Sequence, residues 1–338
     1  MKYDMKKWLS ELKVAKHKKP LPILSFPSVS LLGVSVRELI ADSDLQARGM
    51  KMVADRTDAA ASVSFMDLSV EAECFGAEVS FFDDEVPTVK CRLINDEEGA
   101  LSLAVPEVGS GRSGIYIDAI RKSVSTITDR PVLAGMIGPF SLAARLLDVS
   151  EIMMDCYDEP DMVHTILRKA TEFLIKYAKA YKAAGAGGIV IAEPVAGLLS
   201  PSLEEEFGSP YVKEIIDAVQ DEGFIVVYHN CGDNVPRMLD SITSIGAAAY
   251  HFGNAVNMEN DILNNVSEDT LVMGNIDPAG VLRMGTSEDV REKTLELLSS
   301  CAEYKNFILS SGCDIPPATP WENIDAFFTA YEEFCKGV

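Results

Sequence analysis

Three soft metal ligands stand at the ends of two predicted strands. His229 and Cys231 follow the apolar run 224–227, and Cys313 follows a second apolar run at 307–309. Short apolar runs bounded by polar segments predict buried strands. Two thiolates and one imidazole are donors that Zn²⁺ prefers, and three protein ligands leave a fourth position open, as in catalytic sites. The residue types therefore predict a catalytic zinc site, if the fold brings both strand ends together.

The same residues also have a plainer interpretation. Free cysteines often behave as small buried hydrophobic groups, and His229 could be a hydrogen-bonded residue at a strand end. An H-x-C triplet is weak evidence in a chain with 7 Cys and 4 His, so spacing alone leaves both interpretations open. The odd number of cysteines, their irregular spacing and the lack of a CxxC pair favour a reducing compartment over a disulfide framework.

The pattern of apolar runs predicts the fold that would position these ligands. Eight short runs alternate with helical patterns and predict strands at 22–27, 60–65, 132–137, 189–192, 224–229, 248–252, 271–275 and 307–311. Eight strands alternating with helices predict a (β/α)8 TIM barrel of the α/β class. An open doubly wound sheet is less favoured, because no glycine fingerprint follows the first strand. In such a barrel the active site lies at the carboxyl ends of the strands.

We expect one barrel domain over residues 1–338, a normal length for this fold. Residues 1–20 predict an amphipathic helix ahead of the barrel, and residues 35–56 predict one further helix. Residues 66–131 form an insertion between strands two and three, with a predicted hairpin at 78–94.

The charge of the chain argues against two classes of partner. The formal net charge is −22, and such a surface repels phosphate backbones and anionic lipid, so we expect neither nucleic-acid nor membrane binding. The first eight residues lack the apolar core of a signal peptide, and no run reaches the roughly 18 apolar residues of a membrane helix. We therefore expect a cytoplasmic protein.

Polar residues at the other predicted strand ends are further candidates. Asp67 follows strand two, Glu193 ends strand four, and Asn275 and Asp277 end strand seven. Glu193 could fill the open metal position at rest or accept the proton of an incoming thiol. Asp67 and Asp277 could equally cap the helices that follow them. His251 lies within strand six, and the direction of its side chain is open.

Six stretches carry a resemblance to a known family. They lie at 65–76, 138–143, 193–201, 229–232, 274–278 and 312–320. Together they resemble the uroporphyrinogen decarboxylase superfamily and, within it, the corrinoid-dependent methyltransferase branch typified by methylcobalamin:coenzyme M methyltransferases. The resemblance implies a (β/α)8 barrel and a zinc ion held by His229, Cys231 and Cys313.

The resemblance also implies a reaction and its partners. A methyl group would move between a methylated corrinoid, either free methylcobalamin or the cofactor of a corrinoid protein, and a zinc-activated thiol such as coenzyme M or homocysteine. The helix N-terminus after Gly138 could offer N–H groups to a sulfonate. Glu193 and Asp67 would be catalytic, and the expected substrate- or corrinoid-binding residues are Asn275, Asp277, Gly138 and Ser141.

Two alternatives remain open at the level of the sequence. A decarboxylase-like lyase would use Asp67 on pyrrole nitrogens, but residues 22–30 contain no arginine for substrate carboxylates, which disfavours decarboxylation. A non-catalytic barrel would hold zinc for structure, closed by four protein ligands, and would dock a corrinoid protein.

Overall fold

The computed structural model describes residues 3–337. The strands are β1 (Ser62–Val63), β2 (Val79–Ser80), β3 (Thr88–Val89), β4 (Val132–Ile137), β5 (Gly188–Ala192), β6 (Ile225–Asn230), β7 (Ala249–Phe252), β8 (Val272–Ile276) and β9 (Phe307–Ser311). The α-helices are α1 (Met5–Val14), α2 (Ser28–Leu32), α3 (Val36–Ile40), α4 (Ser43–Arg56), α5 (Val70–Cys74), α6 (Glu97–Ser102), α7 (Ser113–Thr126), α8 (Pro139–Leu147), α9 (Val149–Asp158), α10 (Pro160–Ala184), α11 (Pro201–Leu203), α12 (Ser209–Val219), α13 (Val235–Ser244), α14 (Ser287–Cys301) and α15 (Trp321–Gly337). Short 3-10 turns lie at Ala196–Leu198 and Leu263–Asn265, and π-helical turns at Glu204–Gly208, Met258–Ile262 and Pro278–Arg283.

Seven strands form one parallel sheet in the order β1-β4-β5-β6-β7-β8-β9. Alternate residues of each strand face opposite sides of the sheet. One set packs together inside the curled sheet and includes Leu133, Val190, Val227, Met273 and Ile308. The intervening apolar residues belong to a second, larger cluster shared with the surrounding helices. A curled parallel sheet with helices outside it confirms the predicted α/β barrel class.

The predicted first strand is not a hydrogen-bonded strand, although its segment lies where the eighth strand of a barrel belongs. The Leu21 N–H donates to the Leu309 carbonyl of β9 at 2.9 Å, and the Ala60 N–H, just before β1, donates to the Pro20 carbonyl at 2.8 Å. Pro20 and Pro22 have no N–H to give to a ladder. The segment therefore joins β9 to β1 through isolated hydrogen bonds, and the prediction of a regular strand there was wrong.

Two predicted helices have different bounds because capping side chains define their ends. The helix expected over residues 1–20 is α1, where Asp4 accepts a hydrogen bond from the Lys7 N–H; Met1 and Lys2 lie outside the described residues. The helix expected at 35–56 is two helices, since the Asp42 side chain caps α4 in the middle of that range. No helix in the described part of the chain is long and apolar enough to cross a membrane.

The hairpin predicted at 78–94 is present. Strands β2 and β3 are antiparallel, with Val79 paired to Val89 and Ser80 paired to Thr88. The residues that join them lie over the carboxyl ends of the barrel strands, where they line the cavity described below.

Candidate metal centre

The fold brings the three predicted metal ligands together. His229 lies in β6, Cys231 directly follows that strand, and Cys313 lies two residues beyond β9. Their ligand atoms all lie within 4.8 Å of one another, and the Cys313 Sγ is 3.4 Å from the His229 Nε2. Within residues 3–337, no fourth His, Cys, Asp or Glu joins this group at the same spacing. Two sulfurs and one nitrogen with an open fourth position fit Zn²⁺.

The direction of His229 follows from strand parity. Ile225 and Val227 belong to the apolar cluster inside the barrel, whereas Tyr228 packs in the outer cluster. His229 shares the inward face of Ile225 and Val227, because residues two apart on a strand point the same way. The imidazole is therefore held at the barrel mouth by the strand itself.

The Cys313 thiol stabilises a negative charge on the neighbouring Cys231 thiol. A hydrogen bond from Cys313 is the main cause that lowers the pKa of Cys231 below its usual value, and His229 adds to the effect. The same hydrogen bond, together with burial, raises the pKa of Cys313 well above its usual value. The thiolate is the form of cysteine that binds a metal, so this pairing prepares Cys231 for a cation.

A chain of hydrogen bonds fixes which nitrogen of His229 faces the thiols. The Ser310 hydroxyl donates its one proton to the Leu21 carbonyl at 2.7 Å, so its oxygen accepts from the His251 Nε2–H at 2.8 Å. Burial lowers the pKa of His251 well below its usual value, so this ring is neutral and its Nδ1 carries a lone pair. That lone pair accepts the Nδ1–H of His229 at 2.7 Å. His229 therefore directs its Nδ1–H to His251, and its Nε2 is the nitrogen that faces Cys313 and the metal position.

Sequence reasoning left the direction of His251 open, and the sheet decides it. His229 and His251 are register partners in the parallel pair β6–β7. Both side chains therefore point into the barrel, where Ser310 of β9 meets His251 from across the interior. Their spacing in the sequence gave no signal for this contact.

Glu193, Gly138 and Ser141 meet on the outer side of β5. The Glu193 carboxylate accepts hydrogen bonds from two backbone N–H groups at the start of α8, both at 2.9 Å, and from the Ser141 Oγ at 2.6 Å. Its neighbours Ala192 and Pro194 line the cavity, so Glu193 points the other way. Burial raises the pKa of Glu193 to about 7, against the effect of these hydrogen bonds. The helix N-terminus that we expected to be available to an anion is thus occupied by Glu193.

Gly138 is required by this arrangement. A Cβ at position 138 would lie 2.3 Å from the carboxyl carbon of Glu193, far inside van der Waals contact. The absence of a side chain lets the carboxylate reach the first N–H groups of α8. A catalytic role for Glu193 stays a prediction, and so does substrate binding by Gly138 and Ser141.

Asp67 is buried in a network of charges. Its carboxylate pairs with Arg112, accepts from the Tyr116 hydroxyl at 2.9 Å and accepts from the Ser69 Oγ at 2.6 Å. Arg112 also pairs with Glu73 at 2.7 Å. Asp67 does not line the cavity, although Ser69 does. Its predicted catalytic role is not tested by this placement.

Asn275 and Asp277 lie in a neighbouring depression, away from the three metal ligands. The Asn275 side-chain amide donates to two backbone carbonyls, both at 2.8 Å. Asp277 accepts two backbone N–H groups at 2.9 Å and caps the turn Pro278–Arg283, as the capping alternative proposed. Their role in substrate or corrinoid binding stays a prediction.

A cavity of about 400 Å³ opens beside the metal ligands. His229 and Cys313 lie on its wall, and residues 84–89, from the β2–β3 connection and β3, also line it. Arg145 and Arg283 are the arginines among its lining residues. A small molecule in this cavity would touch the metal ligands at one place and a guanidinium at another.

Comparisons with known proteins agree with the fold. Residues 28–334 match the family model of uroporphyrinogen decarboxylase (URO-D). The methylcobamide:CoM methyltransferase MtbA of Methanosarcina acetivorans is 30% identical over 262 residues, which cover 76% of this chain and 75% of the relative. A uroporphyrinogen decarboxylase of Coxiella burnetii is 26% identical over 288 residues, with 81% and 77% covered. The solved structure of a methyltransferase from Methanosarcina mazei is similar, with a TM-score of 0.86 and 25% identity over 98% of this chain and 99% of that chain. The chain belongs to the uroporphyrinogen decarboxylase (URO-D) family.

Proposed function

We propose that this chain is a zinc- and corrinoid-dependent methyltransferase whose methyl acceptor is a thiol. The observation that carries the proposal is the meeting of His229, Cys231 and Cys313 within 4.8 Å, with His229 and Cys313 on the wall of a cavity. The methyltransferase relatives support the reaction class, since the MtbA proteins are named for transfer between a methylcobamide and CoM.

The chain's own residues prepare and orient the metal ligands. Zinc at this site would hold the substrate thiol as its thiolate, the nucleophilic form, in the open fourth position. His251 and Ser310 hold the His229 Nδ1 as a hydrogen-bond donor so that Nε2 faces the metal position, and the Cys313–Cys231 hydrogen bond stabilises a thiolate on Cys231. The β2–β3 connection and the metal ligands line the cavity that would enclose the sulfur.

The balance of the transfer defines what the partner must be. The substrate sulfur forms a bond to the methyl carbon, the carbon–cobalt bond breaks, and its electron pair stays on the corrinoid. The thiol proton is released to solvent. A corrinoid protein, or free methylcobalamin, must therefore approach the open side of the cavity, and the barrel contributes proximity and orientation. Coenzyme M and homocysteine are both candidate acceptors.

Metal analysis and a thiol screen test this function. We expect the purified protein to hold about one zinc per chain and to demethylate methylcobalamin when a suitable thiol is added. Cys313→Ala should lose both zinc and activity, because it removes one of three ligands. Cys91→Ala is the matched control, since Cys91 is an exposed free cysteine. Full zinc content and full activity in Cys313→Ala would show that the assignment is wrong.

X-ray absorption separates a catalytic from a structural zinc site. An open site should gain a sulfur ligand when the thiol substrate is added. A spectrum that already shows four protein ligands, and does not change with thiol, would support the non-catalytic barrel instead.

A further inference from the structure

We propose that Arg145 binds an anionic group, a sulfonate or a carboxylate, at the end of the thiol substrate opposite its sulfur. The inference rests on the proposed function, because it assigns the second end of the same substrate. The acceptor would then belong to the class of small anionic thiols.

The first observation is that Arg145 is a half-buried guanidinium without a counter-charge. It lies in the last turn of α8, and its side chain has no hydrogen bond or ion pair with any residue of the described chain, 3–337. Burial lowers the pKa of Arg145, and no nearby acid opposes this effect. Enclosing a charge without a partner costs free energy, so the position is expected to be used by a ligand.

Arg112 shows what this chain does with a guanidinium that serves structure. It is buried as well, and it pairs with both Asp67 and Glu73. The chain has 52 acidic residues against 30 Lys and Arg, so acidic partners are abundant. The missing partner of Arg145 is therefore a specific feature of this place in the fold.

The second observation is that Arg145 lines the same cavity as His229 and Cys313. A sulfur held at the metal ligands and an anion held by Arg145 would be two ends of one molecule in about 400 Å³. A guanidinium presents N–H groups in a fork that matches the oxygens of a sulfonate or carboxylate.

The remaining charged groups of the cavity do not take this role. Arg283 also lines the cavity but is exposed, where a charge pair contributes little. Asp84 and Glu85 are exposed on the β2–β3 connection, and Asp314 is adjacent to the metal ligand Cys313. None of these carboxyl groups forms an ion pair with Arg145. The N–H groups at the start of α8 are occupied by Glu193.

A comparison of thiols with and without an anionic end tests the proposal. In Arg145→Gln, kcat/KM for 2-mercaptoethanesulfonate and 3-mercaptopropionate should fall about 10- to 100-fold, the usual effect of losing a hydrogen bond to a charged group, and mainly through KM. The value for neutral 2-mercaptoethanol should not change. Arg145→Lys should be intermediate, because it keeps the charge but loses the fork. An equal loss for neutral and anionic thiols in Arg145→Gln would overturn the proposal.

A direct binding measurement keeps this test separate from the proposed function. Saturation-transfer NMR should show ethanesulfonate or propionate, neither of which has a thiol, binding to the purified wild-type protein and to Arg168→Gln, an exposed arginine on α10. Binding should be lost in Arg145→Gln. The anion that binds wild type more tightly identifies the acidic group of the substrate as a sulfonate or a carboxylate. If wild type methylates no thiol, the proposed function fails while this arm still tests Arg145. Anion binding that persists in Arg145→Gln, or is absent in wild type, would refute the anion site.

The folded state of Arg145→Gln provides a further readout. Since the substitution removes no hydrogen bond or ion pair within the protein, the Tm of Arg145→Gln should equal or exceed that of wild type. A clearly lower Tm would mean that Arg145 supports the structure and would count against a ligand-binding role.

Discussion

Replacement of His251 by phenylalanine should weaken zinc binding without removing a zinc ligand. The substitution removes the His251 Nδ1, which accepts the hydrogen bond of the His229 Nδ1–H at 2.7 Å. It removes no other hydrogen-bond partner of the His229 side chain. Loss of a partner that orients a metal-binding histidine costs about 10- to 100-fold in metal affinity, or roughly 1.4–2.7 kcal/mol. The backbone carbonyl of residue 251 lies 3.2 Å from the same nitrogen and remains in the variant. We therefore expect the lower end, about 10-fold.

The measurement is a zinc competition titration with a chromophoric chelator under reducing conditions. His164→Gln is the matched control, because His164 stacks on Phe207 and bonds to Tyr211 on the helical layer. Ser310→Ala should give a smaller loss of zinc affinity. It removes the hydrogen bond that fixes the tautomer of His251 but leaves the imidazole ring in place. Circular dichroism would confirm that each variant is folded.

Nitrogen-15 NMR of the zinc-free protein tests the reasoning behind the affinity. In wild type, His229 should carry its proton on Nδ1 and His251 on Nε2, as the hydrogen bonds to Ser310 and Leu21 require. The opposite tautomers, or zinc affinity in His251→Phe equal to wild type, would refute the role of this chain of hydrogen bonds.

Three further variants test the surroundings of the site. Glu193→Gln should remove a pH dependence of stability. Because the folded-state pKa of Glu193 is raised to about 7, the stability that its protonated form contributes is present below the unfolded pKa of about 4.5 and is lost as the pH rises through 7, about 3 kcal/mol in all. Urea unfolding at several pH values measures this, and equal pH profiles of variant and wild type would contradict it. Gly138→Ala should cost about 1–3 kcal/mol, because its Cβ would lie 2.3 Å from Glu193, whereas Gly337→Ala, with open space around it, should be neutral in the same assay. Arg112→Met should destabilise the folded protein by about 3–5 kcal/mol, because the Asp67 carboxylate stays buried without its charge partner. The double variant Arg112→Met with Asp67→Asn should recover part of this loss, and no recovery would argue against the pair as the cause.

Much of the architecture follows from local patterns in the sequence. Apolar runs alternating with helical patterns correctly indicated the parallel barrel, because burial on both faces of a parallel strand leaves a continuous apolar signature. The run 22–27 was misassigned for a local reason, since Pro20 and Pro22 cannot donate to a ladder. The division of residues 35–56 into two helices depends on the capping contacts of Asp42, which the apolar periodicity did not reveal.

The site divides in the same way between sequence and tertiary structure. The types and positions of His229, Cys231 and Cys313 at strand ends were enough to predict a shared site, because parallel strands of a barrel end at one rim. Contacts between side chains from distant segments depend on strand register and parity, which only the folded sheet sets. These decide that His251 faces His229, that Glu193 points away from the cavity, and that Arg145 lines it without a counter-charge.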